Sequence, residues 1–126
     1  MKIFGHPWIE SEVFFVVSNS EEIKKTAPNS TLKIESFNIE LLHYCDKNGL
    51  AYMVVVSDIK EAIFANLLHA KYLLCSKSLA KELMPIAQNY LFDAQVVALI
   101  SEEQEIEEMA RVNVDGVLFS TLIEQL

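Results

Sequence analysis

Short apolar runs alternate with amphipathic helical stretches along most of the chain. The clearest runs are AYMVVVS (51–57), KYLLCS (71–76), QVVALIS (95–101) and VDGVLFS (114–120), preceded by VFFVVS (13–18) and, more weakly, TLKIES (31–36). Runs that are apolar at nearly every position are typical of parallel strands covered on both faces. The pattern therefore predicts six strands that alternate with helices.

This alternation predicts an α/β fold, specifically a three-layer α/β/α arrangement around a mostly parallel sheet of five or six strands, Rossmann-like or flavodoxin-like. The 126 residues have the size of one compact domain, so we expect 1–126 to form a single α/β domain. Residues 1–10 are expected to form an arm or an edge strand.

A serine follows most of the runs, in the position where a helix would begin. Serine and aspartate side chains accept hydrogen bonds from the unpaired N–H groups of a first helical turn. Asp58 and Glu61 also have the spacing of a capping box. In the fourth helix, Pro85 predicts either a kink or a second helix that starts near the proline.

The stretch 58–70 carries more apolar surface than one buried face needs. Ile59, Ile63 and Leu67 fall on one face, and Phe64 and Leu68 point nearly the opposite way. An apolar surface of this kind is typical of contact sites, so Phe64 and Leu68 are predicted interface residues of a homodimer. Alternatively, a neighbouring helix or the N-terminal arm covers them.

Charge and apolar run length exclude several partner classes. The net charge is −8, and the ten basic residues form no cluster, so we expect no nucleic-acid partner. The apolar runs are far shorter than the ~20 residues that cross a bilayer, so we expect no membrane partner. Cys45 and Cys75 have no CxxC spacing, and Gly5, His6 and Pro7 interrupt any leader-like start; both features predict a cytoplasmic protein.

Ligands of parallel α/β proteins bind beyond the carboxyl ends of the strands. The polar residues there give the predicted ligand-binding set: Ser57, Asp58, Cys75, Ser76, Lys77, Ser78, Ser120 and Thr121. Cys75 precedes a helix start, where the helix dipole and Lys77 favour a thiolate. The alternative is that Cys75 packs as a small apolar residue and Ser76 or Ser78 caps the helix.

Glycine and histidine usage argues against cofactors and metals. The three glycines, Gly5, Gly49 and Gly116, belong to neither a dinucleotide-binding nor a P-loop motif. The three histidines have no spacing that suggests metal ligands. We therefore expect no cofactor and no metal.

The segments HAKYLLCS and EIEEMARVNVDGVLFS resemble the strand and helix rhythm of phosphate-binding (βα)8 barrels. Val114, Asp115, Gly116, Val117 and Leu118 match a phrase that leads into the phosphate loop of those barrels, where Ser120 and Thr121 replace glycine. The resemblance implies a barrel of eight strands. Six predicted strands do not close such a barrel, and an open sheet accounts better for the length. We also find no lysine at the carboxyl end of a predicted strand, so an aldolase that forms a Schiff base is not supported.

Two functions from different classes remain open. The first is a non-catalytic module that self-associates or binds a ligand, chiefly through the helix with Phe64 and Leu68. The second is a small-molecule enzyme that binds an anionic substrate at the strand ends around Cys75, Ser76 and Lys77. The sequence favours the first and leaves open whether the protein is an enzyme.

Overall fold

A computed structural model describes residues 1–120 of the chain. The elements in this part, in chain order, are β1 (Lys2–Phe4), β2 (Phe14–Val16), α1 (Ser20–Ile23), β3 (Thr31–Ile34), α2 (Ile39–Lys47), β4 (Tyr52–Val55), α3 (Ile59–Leu67), β5 (Tyr72–Cys75), α4 (Lys77–Asn89), β6 (Gln95–Ile100), α5 (Gln104–Arg111) and β7 (Gly116–Phe119). In this part of the chain, no helix has both the length and the apolar character needed to cross a membrane.

All seven strands belong to one parallel sheet with the order β1-β7-β6-β5-β4-β3-β2. From β2 to β7, each strand pairs with the next one along the chain. β1 then pairs with β7, so that β1 and β2 are the two edge strands. The predicted parallel α/β class is thus confirmed, but the prediction of five or six strands was wrong.

The sheet curls until its two edges come close together. Neighbouring strands lie about 4.8 Å apart, so a flat sheet of seven strands would hold its edges about 29 Å apart. The ring centroids of Phe4 on β1 and Phe14 on β2 nevertheless lie 5.4 Å from each other. The sheet is therefore a partial barrel, and we call the gap between β1 and β2 the seam.

The two faces of the sheet have separate hydrophobic cores. The outer core joins strands to helices and includes Leu32, Ile34, Leu42, Ala65, Leu83 and Met109. The inner core lies inside the curled sheet and consists of Phe4, Phe14, Met53, Tyr72, Leu74, Val97 and Leu118. Both faces of each central strand are buried, which explains the nearly continuous apolar runs.

The Rossmann-like three-layer arrangement was wrong for a topological reason. Right-handed crossovers between strands added in one direction place every helix on the same side of a sheet. Helices reach both sides only where the strand order reverses, as it does in doubly wound folds. Because β2 to β7 follow one another without reversal, the second face has no helical layer and closes on itself.

Residues 1–10 contain β1, which is one of the two edge strands of the sheet. Residues 5–13 after it form no helix. His6 lies near Phe119, at the carboxyl end of β7, with 5.8 Å between ring centroids. Glu12 contacts Thr31 and Tyr72, which begin β3 and β5. Residues 5–13 therefore run from the carboxyl ends of the strands back to their amino ends, along the seam.

A polar cluster holds the carboxyl-terminal end of this segment, beside the amino ends of the strands. Glu12 accepts hydrogen bonds from Thr31 Oγ1 (2.7 Å), from Lys71 Nζ (3.2 Å) and from the hydroxyl of Tyr72. Tyr72 in turn accepts a hydrogen bond from Lys2 Nζ at 2.8 Å. We call Lys2, Glu12, Thr31, Lys71 and Tyr72 the seam cluster. It links β1 and the segment before β2 to the middle of the sheet.

Local signals at the helix ends correspond to the structure. The Asp58 carboxylate accepts the Glu61 N–H, and the Glu61 carboxylate accepts the Ser57 N–H, both at 2.8 Å. Asp58 therefore makes its half of the predicted capping box, whereas Glu61 accepts the N–H of Ser57, the residue before the cap, and not that of Asp58 itself. α4 continues through Pro85 as one helix, so no second helix starts there.

Candidate active site

Lys33 is the most unusual side chain in the described structure, because it is a lysine with 1% of its surface exposed. It lies in β3 between Leu32 and Ile34, both of which pack in the outer core. Side chains alternate along a strand, so Lys33 points to the inner face. Its register partners on the neighbouring strands are Val16 and Met53, and Met53 belongs to the inner core.

The Lys33 amine has one carboxylate nearby. Glu35, two residues further on and therefore on the same side of the strand path, places Oε2 at 3.8 Å from Lys33 Nζ. This distance is longer than a hydrogen bond. Burial lowers the pKa of Lys33, and the nearby negative charge of Glu35 opposes that effect only in part. The neutral amine is consequently favoured more than in an exposed lysine.

An open cavity of about 340 Å³ lies beside Lys33, at the carboxyl ends of β3 to β6. Lys33 and Glu35 form one part of its wall, together with the apolar side chains of Val55, Leu74 and Leu99. Cavities of this size are within the range that holds small molecules. A nucleophilic amine, a proton acceptor and an apolar surface thus share one cavity.

Three of the predicted ligand-binding residues line this cavity: Ser57, Cys75 and Ser76. Ser76 also caps α4, since its hydroxyl accepts the Leu79 N–H at 3.2 Å. Cys75 is buried, and burial raises the pKa of its thiol to about 12. The thiol is therefore protonated near neutral pH, which favours the alternative in which Cys75 packs as a small apolar residue.

The other predicted residues that the structure describes, Asp58, Lys77, Ser78 and Ser120, lie outside the cavity wall. Lys77 Nζ contacts the carboxylates of Glu105 (3.0 Å) and Glu108 (3.2 Å) on α5, and hydrogen bonds to both raise its pKa. Asp58 caps α3, and Ser78 is exposed in the first turn of α4. Ser120 directly follows β7, whereas Thr121 lies outside the described residues.

The predicted interface residues differ in exposure. Phe64 is 44% exposed, and the adjacent apolar residues Ile63 and Leu67 are also exposed. Leu68, in contrast, is partly buried and packs against the outer core. The reason is that Ala62 and Ala65 form the inward face of α3, which rotates the helix relative to the predicted orientation.

Sequence reasoning missed Lys33, and Glu35 was not among the predicted ligand-binding residues. The statement that no lysine lies at the carboxyl end of a strand was wrong, because Lys33 is the third residue of the four-residue strand β3. The signal was present in the alternation of Thr31, Lys33 and Glu35 with Leu32 and Ile34. In a strand, that alternation places three polar side chains on one face.

Comparisons with known proteins show a fold and no sequence family. No family model and no curated protein matches the sequence. Among solved structures, a 4-hydroxy-2-oxoglutarate aldolase/2-deydro-3-deoxyphosphogluconate aldolase from TTHB1 is similar, with a TM-score of 0.65, 20% identity and 85% of this chain covered. A structure described as native KDPGal has a TM-score of 0.58 and 14% identity over 72% of this chain.

The chain spans about half the length of these structures, since it covers 57% of the first and 46% of the second. The prediction of a non-catalytic module was wrong, because the fold is one that enzymes named as aldolases use. The fold also agrees better with the barrel resemblance than with the doubly wound sheet. The chain thus has an aldolase-like α/β fold, in which parallel strands curl around an inner core.

Proposed function

We propose that this chain is an enzyme that acts on a small carbonyl compound through an imine on Lys33, at the carboxyl ends of the strands. The observation that carries the proposal is the placement of the Lys33 side chain, which is buried on the inner face of β3 and forms part of an open cavity. Lysine amines that form imines with carbonyl substrates are commonly activated by desolvation in such settings.

The energetic cost of this lysine supports a functional role. Burying an ammonium group without a close partner is unfavourable by several kcal/mol in typical proteins, about 3 or more. The nearest carboxylate, that of Glu35, is 3.8 Å away. A position that costs stability and gives a reactive amine is typical of functional sites.

The proposed chemistry begins with the neutral amine. Lys33 Nζ attacks the carbonyl carbon, a C–N bond forms, and the carbonyl oxygen takes up a proton. Departure of that oxygen as water leaves a protonated imine on Lys33. The positive charge of the imine then draws electrons from the neighbouring carbon.

Glu35 is suited to the proton transfers that follow. In an aldol cleavage, its carboxylate accepts the proton of a substrate hydroxyl on the β-carbon. The bond between the α- and β-carbons breaks, its electron pair forms an enamine, and an aldehyde leaves. Protonation of the enamine and hydrolysis of the imine then release the second carbonyl product and restore the Lys33 amine.

The solved relatives support the reaction class. The first carries the name of an aldolase whose substrate, 4-hydroxy-2-oxoglutarate, has a carbonyl group and a hydroxyl group two carbons away. That arrangement is the one that aldol cleavage requires. The sequence identity to that structure is 20%, so the main support for this function comes from Lys33 and its cavity.

Reductive trapping tests this function. The protein is incubated with small carbonyl compounds, including pyruvate, glyoxylate and 2-pentanone, and with cyanoborohydride, which converts an imine into a stable amine. We expect an adduct on the Lys33 peptide in mass spectrometry and none in Lys33→Met. Lys81, whose side chain is 49% exposed, serves as the internal comparison. A missing adduct at Lys33, or equal labelling of Lys33 and Lys81, would overturn the proposal.

We make two further proposals, one on the cellular compartment and one on the oligomeric state. We propose a cytoplasmic protein, supported by Cys45 and Cys75, which are both buried free thiols.

We also propose a homodimer, supported by the exposed apolar surface of Ile63, Phe64 and Leu67. Light scattering tests the dimer: Phe64→Glu should give a monomer and Ser78→Glu should not. A monomeric wild-type protein contradicts it.

A further inference from the structure

The lining of the cavity indicates which carbonyl compounds suit the site. Besides Ser57, Cys75 and Ser76, the wall around Lys33 and Glu35 contains Val55, Leu74 and Leu99, which are aliphatic. The adjoining residues Val56 and Leu79 are aliphatic as well. Apolar surface of this kind gains free energy when it is covered by an apolar ligand.

The charges at the cavity disfavour an anionic group next to the carbonyl. In the described part of the chain, Lys33 is the one basic residue of the wall, and imine formation uses its amine. The Glu35 carboxylate is close to that amine, with Oε2 at 3.8 Å from Lys33 Nζ. A substrate carboxylate bonded to the reacting carbon would lie close to Glu35, and like charges at this range repel.

Other cations near the carboxyl ends are already paired. Lys77 contacts Glu105 and Glu108, and Lys81 contacts Glu108 at 3.2 Å. These ion pairs lie between α4 and α5 and not in the cavity wall. Among the described residues, the charged side chains of the wall are therefore those of Lys33 and Glu35 alone.

We infer that the site takes small aldehydes or ketones with an apolar substituent, in preference to 2-oxo acids or phosphorylated sugars. This inference rests on the proposed function, because it assumes that Lys33 is the reacting amine. It differs from the substrate named for the aldolase of similar fold, which carries carboxylates. It also differs from the anionic substrate that the sequence alone suggested.

The test compares trapping rates at Lys33 for 2-pentanone and pyruvate, which present an apolar and an anionic substituent on a ketone. Each rate is divided by the rate for free Nα-acetyl-lysine under the same conditions, which removes the intrinsic reactivity of the compound. We expect the corrected rate for 2-pentanone to exceed that for pyruvate by about tenfold, the factor that a weak like-charge contact produces.

Two variants connect the preference to the wall. Glu35→Gln removes the repelling charge at nearly constant size, so it should narrow the ratio by raising the pyruvate rate. Leu99→Asn makes the wall polar and should narrow the ratio by lowering the 2-pentanone rate. Circular dichroism of both variants checks that the sheet still forms.

The outcomes separate this inference from the function on which it rests. A corrected pyruvate rate equal to or above that of 2-pentanone overturns the apolar substrate class and leaves Lys33 as the reacting amine. No adduct at Lys33 with either compound overturns the proposed function itself. A ratio that neither Glu35→Gln nor Leu99→Asn changes also overturns the assignment of the preference to this wall.

Discussion

Lys33 Nζ lies 3.8 Å from Glu35 Oε2, where Glu35 directly follows β3 and Leu32 and Ile34, on the other side of that strand, pack in the outer core. The distance between the two groups is too long for a strong ion pair, and the lysine side chain is almost fully excluded from water. The desolvation of the amine is therefore compensated incompletely, and this has consequences for stability.

Lys33→Met should stabilise the protein. Methionine has a similar length and removes the charge, so the free energy of unfolding should rise by about 1–3 kcal/mol. Urea denaturation measures this change in the free energy of unfolding. Lys81→Met is the control, because an exposed, surface-paired lysine should change stability by less than about 0.5 kcal/mol. A loss of stability in Lys33→Met would show that the charge is well compensated.

The stabilising effect of Lys33→Met should depend on pH. The pKa of Lys33 is lowered in the folded state from 10.5, so the unfolded state binds more protons between the two values. Wild-type stability from this residue is fully present above pH 10.5 and is lost as the pH falls through the lower folded value. The difference between variant and wild type should therefore be largest near neutral pH and shrink toward pH 10.5. A constant difference would contradict the direction of this shift.

Glu12→Gln should destabilise the protein, because Glu12 accepts three hydrogen bonds in the seam cluster. We expect a loss of about 2 kcal/mol in urea denaturation. Burial alone raises the pKa of Glu12, but the hydrogen bonds from Tyr72, Thr31 and Lys71 outweigh it, so the net direction is downward. Its contribution is present above pH 4.5 and is lost as the pH falls through the folded value. Glu107→Gln, at an exposed ion pair, is the control; equal losses would argue against a special role of the seam cluster.

Gly116→Ala should disturb the pairing of β1 with β7. A Cβ atom at Gly116 would lie 3.0 Å from the Lys2 carbonyl oxygen and 3.3 Å from Lys2 Cβ. We expect a loss of about 1–3 kcal/mol and faster hydrogen exchange in β1. At Gly49 a Cβ meets nothing within 4 Å but φ is 62°, so Gly49→Ala should cost about 1 kcal/mol without affecting β1. If hydrogen exchange in β1 is the same in Gly116→Ala as in the wild type, the expected disturbance of the pairing of β1 with β7 is contradicted.

Cys75 should react slowly with thiol reagents in the native protein. Burial raises the pKa of Cys75 to about 12 and that of Cys45 to about 11, so both thiols are protonated at neutral pH, and little of either residue is exposed. We expect labelling with a disulfide reagent at pH 7.5 to be at least about a hundredfold slower than in 6 M urea. Fast native labelling would restore the thiolate that the sequence suggested for Cys75.

The sequence predicted the strands well because their apolar runs are long and β-branched. Six of the seven strands fall inside the runs identified from hydropathy, and the seventh, Lys2–Phe4, is only three residues long. The shape of the sheet was not predictable in the same way. An apolar run indicates that both faces of a strand are buried, but it does not indicate whether a helix or the opposite wall of a barrel covers the inner face.

The site was less predictable, because polar residues at and after the strand ends indicate only part of it. Ser57, Cys75 and Ser76 were found in this way, since the carboxyl ends of the strands do meet beside one cavity. Lys33 lies within a strand and interrupts the weakest apolar run. Its burial depends on Val16 and Met53 on neighbouring strands, and register between strands is a property of the folded chain.

The pairing of β1 with β7 has a consequence for how the protein forms in the cell. Lys2 pairs with Gly116, so more than one hundred residues separate the partners of this contact. During synthesis, β2 to β6 can assemble one after another while β1 waits with its apolar residues unpaired. Capture of β1 by β7 therefore comes only after β2 to β6 have been synthesised, and nascent chains are exposed to aggregation until it occurs.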